Sequence, residues 1–331
     1  MNSKIKNETI NWGMIGCGDV TEIKSGPAFN KVGNSHLQAV MSRSEERVTD
    51  YAYRHKIPSF YTDADKLIND PLVNAIYIAT PPIYHEDYVI KALKAGKPVY
   101  VEKPVTTDVE TCERLLEATY KYNSKLVVAH YRRALPVFKE IKKIILEDTI
   151  GKIRLARINY LQPFSSALIA TSAENWRLNP SISGAGLFYD IGPHQIDMML
   201  YLFGKALNYN GLSINQSGYY TPEDLVTGII HFENNIMFTG TWGFTMPEYQ
   251  QEEYCEIIGE KVSILFTFYG KEFTLNCNGE KKTYSFPLPD NIQQPMIEKV
   301  VNYFLDNAEN PCSLNEALDG LKIMQQFVYH K

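Results

Sequence analysis

No stretch of this 331-residue chain holds the ~20 consecutive apolar residues that a membrane-crossing helix needs. No membrane partner is therefore expected. Cysteine is scarce: Cys17, Cys112, Cys255, Cys277 and Cys312 form no C-x-x-C pair, and their number is odd. That disfavours a disulfide framework or a zinc site and predicts reduced thiols in a cytoplasmic compartment. An excess of basic charge is missing too. The net charge of -5 argues against a nucleic-acid or anionic-membrane binder, although a small anionic ligand needs only a local positive patch. The opening residues, Met1 to Glu8, are short and polar and run straight into a strand, so no signal peptide is expected. Repeats, linkers and low-complexity segments are absent as well. What is present is an ordinary globular composition, 44% hydrophobic and 21% charged, in a length that favours two domains over one. The 22 tyrosines suit half-buried strands as well as interfaces.

The first part of the chain alternates between strand and helix patterns. Ile10 to Ile15 reads as a buried strand, followed at once by Gly16-Cys17-Gly18-Asp19-Val20-Thr21. Two glycines spaced G-x-G make a tight turn and let backbone N–H groups approach a pyrophosphate at a helix start. Thr21 stands where the usual third glycine would be, which predicts looser packing there. Leu37 to Met41 is the second strand, and Ser42-Arg43-Ser44-Glu45-Glu46-Arg47 follows it. An acid at that strand end would hold a ribose 2′-hydroxyl. A serine with Arg43 and Arg47 suits a 2′-phosphate better; the alternative is a helix cap at Ser42 or Ser44 with solvated arginines. Tyr61 to Asn69 reads as a short helix and Asn74 to Ala79 as a strand. Thr80-Pro81-Pro82-Ile83-Tyr84-His85 is a stiffened loop beyond that strand. Glu86 to Ala95 is helical and stopped by Gly96. The next strand ends abruptly in Glu102-Lys103-Pro104, an acid–base pair where a parallel sheet places its ligands. Thr107 to Glu110 resembles a capping box for a helix to Tyr122, and Leu126 to Ala129 is another strand. Strand and helix in alternation with short links imply a doubly wound parallel sheet.

Beyond Arg133 the alternation stops. A helix from Leu135 to Glu147 precedes strand-like runs at Ile153–Leu161, Leu225–Phe232, Ile236–Phe244, Glu253–Ile258, Ser263–Phe268, Glu272–Asn276 and Lys282–Phe286. Tight turns such as Asn278-Gly279 predict an antiparallel meander. Helices near Met296–Asn307 and Leu314–Tyr329 close the chain. The expected division is 1–128 and 129–331. One segment of this half carries chemistry: Gly184 to His194 leads into a helix ending before Gly204. Ile196, Met199, Leu200 and Phe203 form a buried stripe, with His194 on the face away from it. Pro193 favours the first helical turn, which would put Asp190 and His194 at the helix start. A histidine with an aspartate close by is a credible acid–base group. Trp176-Arg177 lies in a loop and could stack on a ligand.

In this order, Gly16-Cys17-Gly18, Thr80-Pro81-Pro82 with His85, Glu102-Lys103-Pro104, Tyr131-Arg132-Arg133, Trp176-Arg177 and Asp190…His194 resemble the landmarks of the Gfo/Idh/MocA family (glucose–fructose oxidoreductase, inositol dehydrogenase and relatives). The resemblance implies an N-terminal Rossmann domain, a doubly wound parallel sheet, joined to a C-terminal α+β domain with a large, mostly antiparallel sheet. It implies hydride transfer between NAD or NADP and a sugar, polyol or related molecule, with Lys103 and His194 catalytic and Asp190 assisting. Gly16, Cys17, Gly18, Asp19, Val20, Ser42, Arg43, Arg47, Thr80, Pro81, Pro82, His85, Glu102, Lys103, Trp176 and Arg177 would line the cofactor. Lys103, Tyr131, Arg132, Trp176, Asp190 and His194 would meet the substrate. The serine-then-arginine arrangement is similar to NADP-dependent members such as 1,5-anhydrofructose reductase, so NADP is favoured. Pro82 and Tyr131 stand where many relatives have asparagine, which bears on substrate choice. A homodimer or homotetramer through the C-terminal sheet is expected. Two other classes fit less of this pattern: a Rossmann-type reductase of a non-sugar substrate, and a non-catalytic cofactor-sensing regulator.

Overall fold

The computed structural model describes residues 9–166 and 176–328. In the first part, β1 (Ile10–Ile15), β2 (Ser35–Met41), β3 (Ser59–Tyr61), β4 (Ala75–Ile78), β5 (Val99–Val101) and β6 (Leu126–Val128) form one parallel sheet. Its order is β3-β2-β1-β4-β5-β6. All residues of β4, β5 and β6 are buried, as strands covered on both faces must be. The connections include α1 (Glu45–His55), α2 (Ala64–Ile68), α3 (His85–Lys94) and α4 (Val109–Tyr122). Gly96 does end α3: it sits at φ +74, and the Gly96 and Lys97 amides close the last turn on Leu93 and Ala92.

Three local expectations are corrected. The helix expected from Tyr61 begins only at Ala64, capped by Asp63, because Tyr61 closes β3, a strand too short to show a period. The cap of α4 is Asp108 rather than Thr107; its Oδ1 accepts the Thr111 amide at 2.8 Å. No α-helix follows β1. A π-helical turn, Val20–Lys24, runs into a 3-10 turn, Gly26–Asn30. The cause is the buried Thr21. Its carbonyl accepts the Tyr51 hydroxyl at 2.7 Å, and Gly26 packs so close to both groups that a Cβ there would collide with them.

In the second part the chain continues through α5 (Pro136–Leu146), β7 (Ile153–Leu161), α6 (Pro180–Ser183), α7 (Gly186–Phe203), β8 (Ala206–Ile214), β9 (Leu225–Phe232), β10 (Met237–Gly243), β11 (Glu252–Gly259), β12 (Ser263–Phe266), β13 (Glu272–Cys277) and β14 (Glu280–Ser285). The strands order as β14-β13-β12-β11-β7-β10-β9-β8. All neighbours are antiparallel except β7 and β10, which run parallel, so the sheet is not a simple meander. After β7 the chain leaves through α6 and α7 and returns at the far edge as β8, and β9 and β10 then fill inward to β7. The edge strand β8 was not expected from the sequence; exposed Asn208 and Asn210 and the Gly211 that follows them break its apolar alternation. The inner face of this sheet is apolar and buried. Phe138 of α5 lies 5.8 Å from Phe266, and Phe188 of α7 lies 5.1 Å from Trp242. The outer face leaves Leu212, Ile214, Ile229, Met237 and Leu265 exposed.

The chain ends in α8 (Gln294–Phe304) and α9 (Leu314–Val328); Tyr329, expected as the last residue of that helix, lies outside the described residues. The chain divides into two compact units, Met1–Ala134 with Pro289–Leu318, and Leu135–Leu288 with Asp319–Lys331. Pro289–Leu318, placed by the sequence within 129–331, thus clusters with the first unit. Met296, Ile297, Val300, Val301 and Phe304 of α8 are buried, and the Phe304 ring sits 5.6 Å from Trp12 of β1.

Candidate functional site

In the first unit the order reverses between β1 and β4, which makes the carboxyl edge beside them the place where an open α/β sheet binds ligands. Three loops leave that edge side by side. The Gly16 amide bonds to Met41 O at 2.9 Å, Ala79 N to Ile15 O at 2.8 Å, and Glu102 N to Ile78 O at 2.9 Å. The two glycines of the first loop differ in what they do. Gly16 lies at φ +109, and a Cβ there would stand 2.7 Å from Ala79 O. Gly18 would carry a Cβ into open space, with no atom within 4 Å. It is the position where a ligand can approach backbone. Cys17 between them is buried, its Sγ 3.6 Å from Met41 O, and burial pushes the thiol up to about 12. Cys17 stays a neutral thiol.

At the end of β2, Ser44 caps α1 by accepting the Arg47 amide at 3.2 Å, and the Ser42 hydroxyl accepts the Ser44 amide at 3.4 Å. Arg43 and Arg47 are exposed. The Arg43 guanidinium lies over the Tyr84 ring at 4.9 Å, so the loop after β2 is held against the loop after β4. Tyr84 was read from the sequence as part of the stiffened Thr80–His85 loop; its contact with Arg43 gave no signal there. Thr80 begins the loop after β4, and its Oγ1 is buried without a hydrogen-bond partner. Pro81 and Pro82 lead into a 3-10 turn ending at Tyr84. His85, fully buried, places Nε2 2.8 Å from Thr80 O and Nδ1 3.0 Å from Val105 O. Burial holds its pKa below the usual histidine value, against the pull of those carbonyls. His85 therefore braces two loops instead of presenting a ring to a ligand.

Glu102 and Lys103 follow β5. Glu102 is buried and its Oε1 is held by Tyr77 Oη and Gln293 Nε2, each at 2.7 Å, while Oε2 accepts the Lys103 amide at 3.3 Å. Lys103 itself is half-buried. Beyond β6, the turn Tyr131–Ala134 is buried. Arg132 lies over the Tyr131 ring at 5.3 Å, and Arg133 Nη1 reaches Glu316 Oε1 at 2.5 Å.

The second unit carries the other candidates. α7 begins at Gly186, two turns earlier than expected; Gly186 itself sits at φ +64, and a Cβ there would lie 2.5 Å from Pro222. Pro193 is consequently inside the helix, and Asp190 and His194 sit in its body, not at its start. Four residues apart, they still share one face. The face away from the apolar stripe is buried too: His194 and Asp197 are both covered, in a helix enclosed nearly all round. Asp190 has a partner the sequence did not reveal, for Arg177 Nε donates to its Oδ2 at 3.1 Å. The Arg177 guanidinium also lies over the Trp176 ring at 4.5 Å. Among the described residues no group of three His, Cys, Asp or Glu could hold a metal ion, and no helix is long and apolar enough to cross a membrane.

Comparison with known proteins gives these features a context. Residues 10–130 match the oxidoreductase family with an NAD-binding Rossmann fold, and residues 138–265 match the GFO/IDH/MocA C-terminal domain. Oxidoreductase P35 of Formosa agariphila is 45% identical over 96% of this chain and 98% of its own. The scyllo-inositol 2-dehydrogenase (NADP(+)) of Bacillus subtilis is 29% identical over 63% of this chain and 57% of its own. Among solved structures, levoglucosan dehydrogenase in complex with NADH and levoglucosan superposes with a TM-score of 0.86 at 22% identity, over 96% of each chain.

Proposed function

Because the chain belongs to the Gfo/Idh/MocA oxidoreductase family, we propose that it passes a hydride between a nicotinamide dinucleotide and a carbinol or carbonyl carbon of a sugar or polyol. The cofactor, when bound, supplies the hydride donor or acceptor at its nicotinamide ring. What supports a dinucleotide in the first unit is the open backbone at Gly18, the orphaned Thr80 hydroxyl on the neighbouring loop, and Lys103 beyond the third strand of the same edge. Gly16 to Val20 would cradle the pyrophosphate, and Thr80 to Pro82 would line the ring side. Lys103 would hydrogen-bond the reacting oxygen and stabilise negative charge developing there. His194 would take the hydroxyl proton in the oxidising direction. Arg177 acts by holding Asp190, which in turn charges the face of α7 that carries His194. Trp176, Tyr131 and Arg132 are the proposed substrate neighbours.

NADP is the favoured cofactor, since Ser42, Arg43 and Arg47 end β2 without an acid and Arg43 is steadied on Tyr84. The named relatives include one NADP(+)-dependent enzyme and one NADH complex, so the preference rests on this chain's own residues. Five free thiols, four of them buried, fit the cytoplasm. A homodimer through the outer face of the eight-stranded sheet completes the proposal.

The test is a thermal-shift comparison of NAD(H) with NADP(H), followed by turnover of inositols, levoglucosan and 1,5-anhydrofructose read by reduced-nicotinamide absorbance. NADP(H) is expected to stabilise more, and at least one polyol or sugar to be turned over. No shift with either dinucleotide, together with no turnover, would overturn the proposal.

A further inference from the structure

Glu102 is a buried carboxylate whose three hydrogen bonds come from three places in the chain. Tyr77 on β4 and Gln293, 191 residues after Glu102 and just before α8, both donate to Oε1, and the amide of Lys103 donates to Oε2. The orientation of the Gln293 amide is dictated by its neighbours. A carboxylate only accepts, so the Nε2 end must face Glu102; the Oε1 end accepts the Tyr100 hydroxyl at 3.2 Å. Burial, then the charge of Glu102, holds the Tyr77 phenol well above its ordinary pKa, so it remains a donor. Gln293 is almost completely buried, and its backbone is pinned as well: its amide bonds to Lys24 O at 3.1 Å, and Asn291 Nδ2 reaches Ile23 O at 2.5 Å. One short segment therefore holds both the turn after the glycine loop and the carboxylate that holds Lys103.

We infer that Gln293 is a positioning residue for Lys103: by fixing the Glu102 carboxylate it fixes the backbone from which the Lys103 side chain reaches the reacting oxygen. The inference rests on the role proposed for Lys103. Removing one donor from a buried carboxylate frees it to turn away, and the Lys103 amide loses its acceptor.

The test uses the full-length protein without ligand and then with the best dinucleotide and substrate pair from the panel above. In Gln293→Leu, hydrogen exchange at the Lys103 amide, read by mass spectrometry on peptides that begin before Tyr100 and run through Lys103, is expected to quicken about tenfold with β1 and β4 unchanged. A merely structural loss would quicken exchange throughout. kcat is expected to fall about tenfold or more, while dinucleotide affinity stays within a few-fold. Gln293→Glu keeps the shape but pairs two carboxyl groups that must share a proton. It should work near the wild-type rate at acid pH, where the neutral acid still donates, and lose activity as pH rises. That profile decides the matter if the leucine variant fails to fold. Wild-type exchange at Lys103 with wild-type kcat, or a flat relative profile for Gln293→Glu, would overturn the inference. Lys103→Met run alongside separates the two levels. If it abolishes turnover while Gln293→Leu does not, only the inference fails. If it leaves turnover intact, the proposed role of Lys103 fails, and exchange at the Lys103 amide still reports whether Gln293 holds that loop.

Discussion

Gly16 and Gly18 stand two residues apart in one loop and should respond oppositely to the same substitution. At Gly16 the backbone lies at φ +109, and a Cβ would press on Ala79 O. Gly16→Ala is expected to destabilise the protein by about 1–3 kcal/mol, read as a lower melting temperature. Gly18→Ala meets nothing within 4 Å. Its melting temperature should match wild type, while dinucleotide affinity falls about tenfold because the methyl group occupies the approach to the backbone. At this scale much was legible: the G-x-G spacing, the Glu102-Lys103-Pro104 end and the Asp190…His194 pair are local patterns with local causes. The partners were not. Gln293 for Glu102, Arg177 for Asp190 and Tyr84 for Arg43 are joined only by the fold, and no spacing in the chain announces them.

The π-helical turn after β1 is tied to α1 by Glu22. Arg54 donates to both of its carboxylate oxygens, at 2.8 and 2.9 Å, and His55 Nε2 lies 2.9 Å away. The Arg54 bonds, opposed by burial and aided by His55, hold the Glu22 carboxyl down to about 2. A folded-state pKa below the unfolded one contributes stability above the ordinary carboxylate range, lost as pH falls toward 2. Glu22→Gln should therefore melt earlier than wild type at neutral pH, with the gap closing toward pH 2. The pair is part-exposed, so the neutral-pH difference stays within ~1 kcal/mol. Element type was readable wherever a period ran long enough, as in β7 and β9, whose ends match the hydrophobic pattern residue for residue. It failed where tertiary contacts override local preference. Tyr51 and Gly26 turn the expected first helix into a π turn, and the start of α7 at Gly186, close against Pro222, leaves Pro193 inside the helix.

At the scale of the whole chain, the outer face of the eight-stranded sheet combines exposed Leu212, Ile214, Ile229 and Met237 with the Arg157–Glu256 pair. Such a face covered by a second copy gives a closed two-fold assembly. Ile229→Lys combined with Leu212→Lys is expected to convert a dimer to monomers in light scattering without lowering helix or strand content. An unchanged mass would exclude this face as the interface. The two-unit organisation was readable from the change of pattern near Arg133, but the return of Pro289–Leu318 to the first unit was not. An amphipathic helix such as α8 shows that it has a face to bury and gives no sign of which sheet will bury it. The role proposed for Lys103 in hydride transfer is read by steady-state turnover of Lys103→Met through reduced-nicotinamide absorbance, with dinucleotide affinity measured on the same sample. The predicted result is a loss of kcat of about a hundredfold or more with affinity within a few-fold of wild type. Turnover near the wild-type rate with the dinucleotide bound would contradict it.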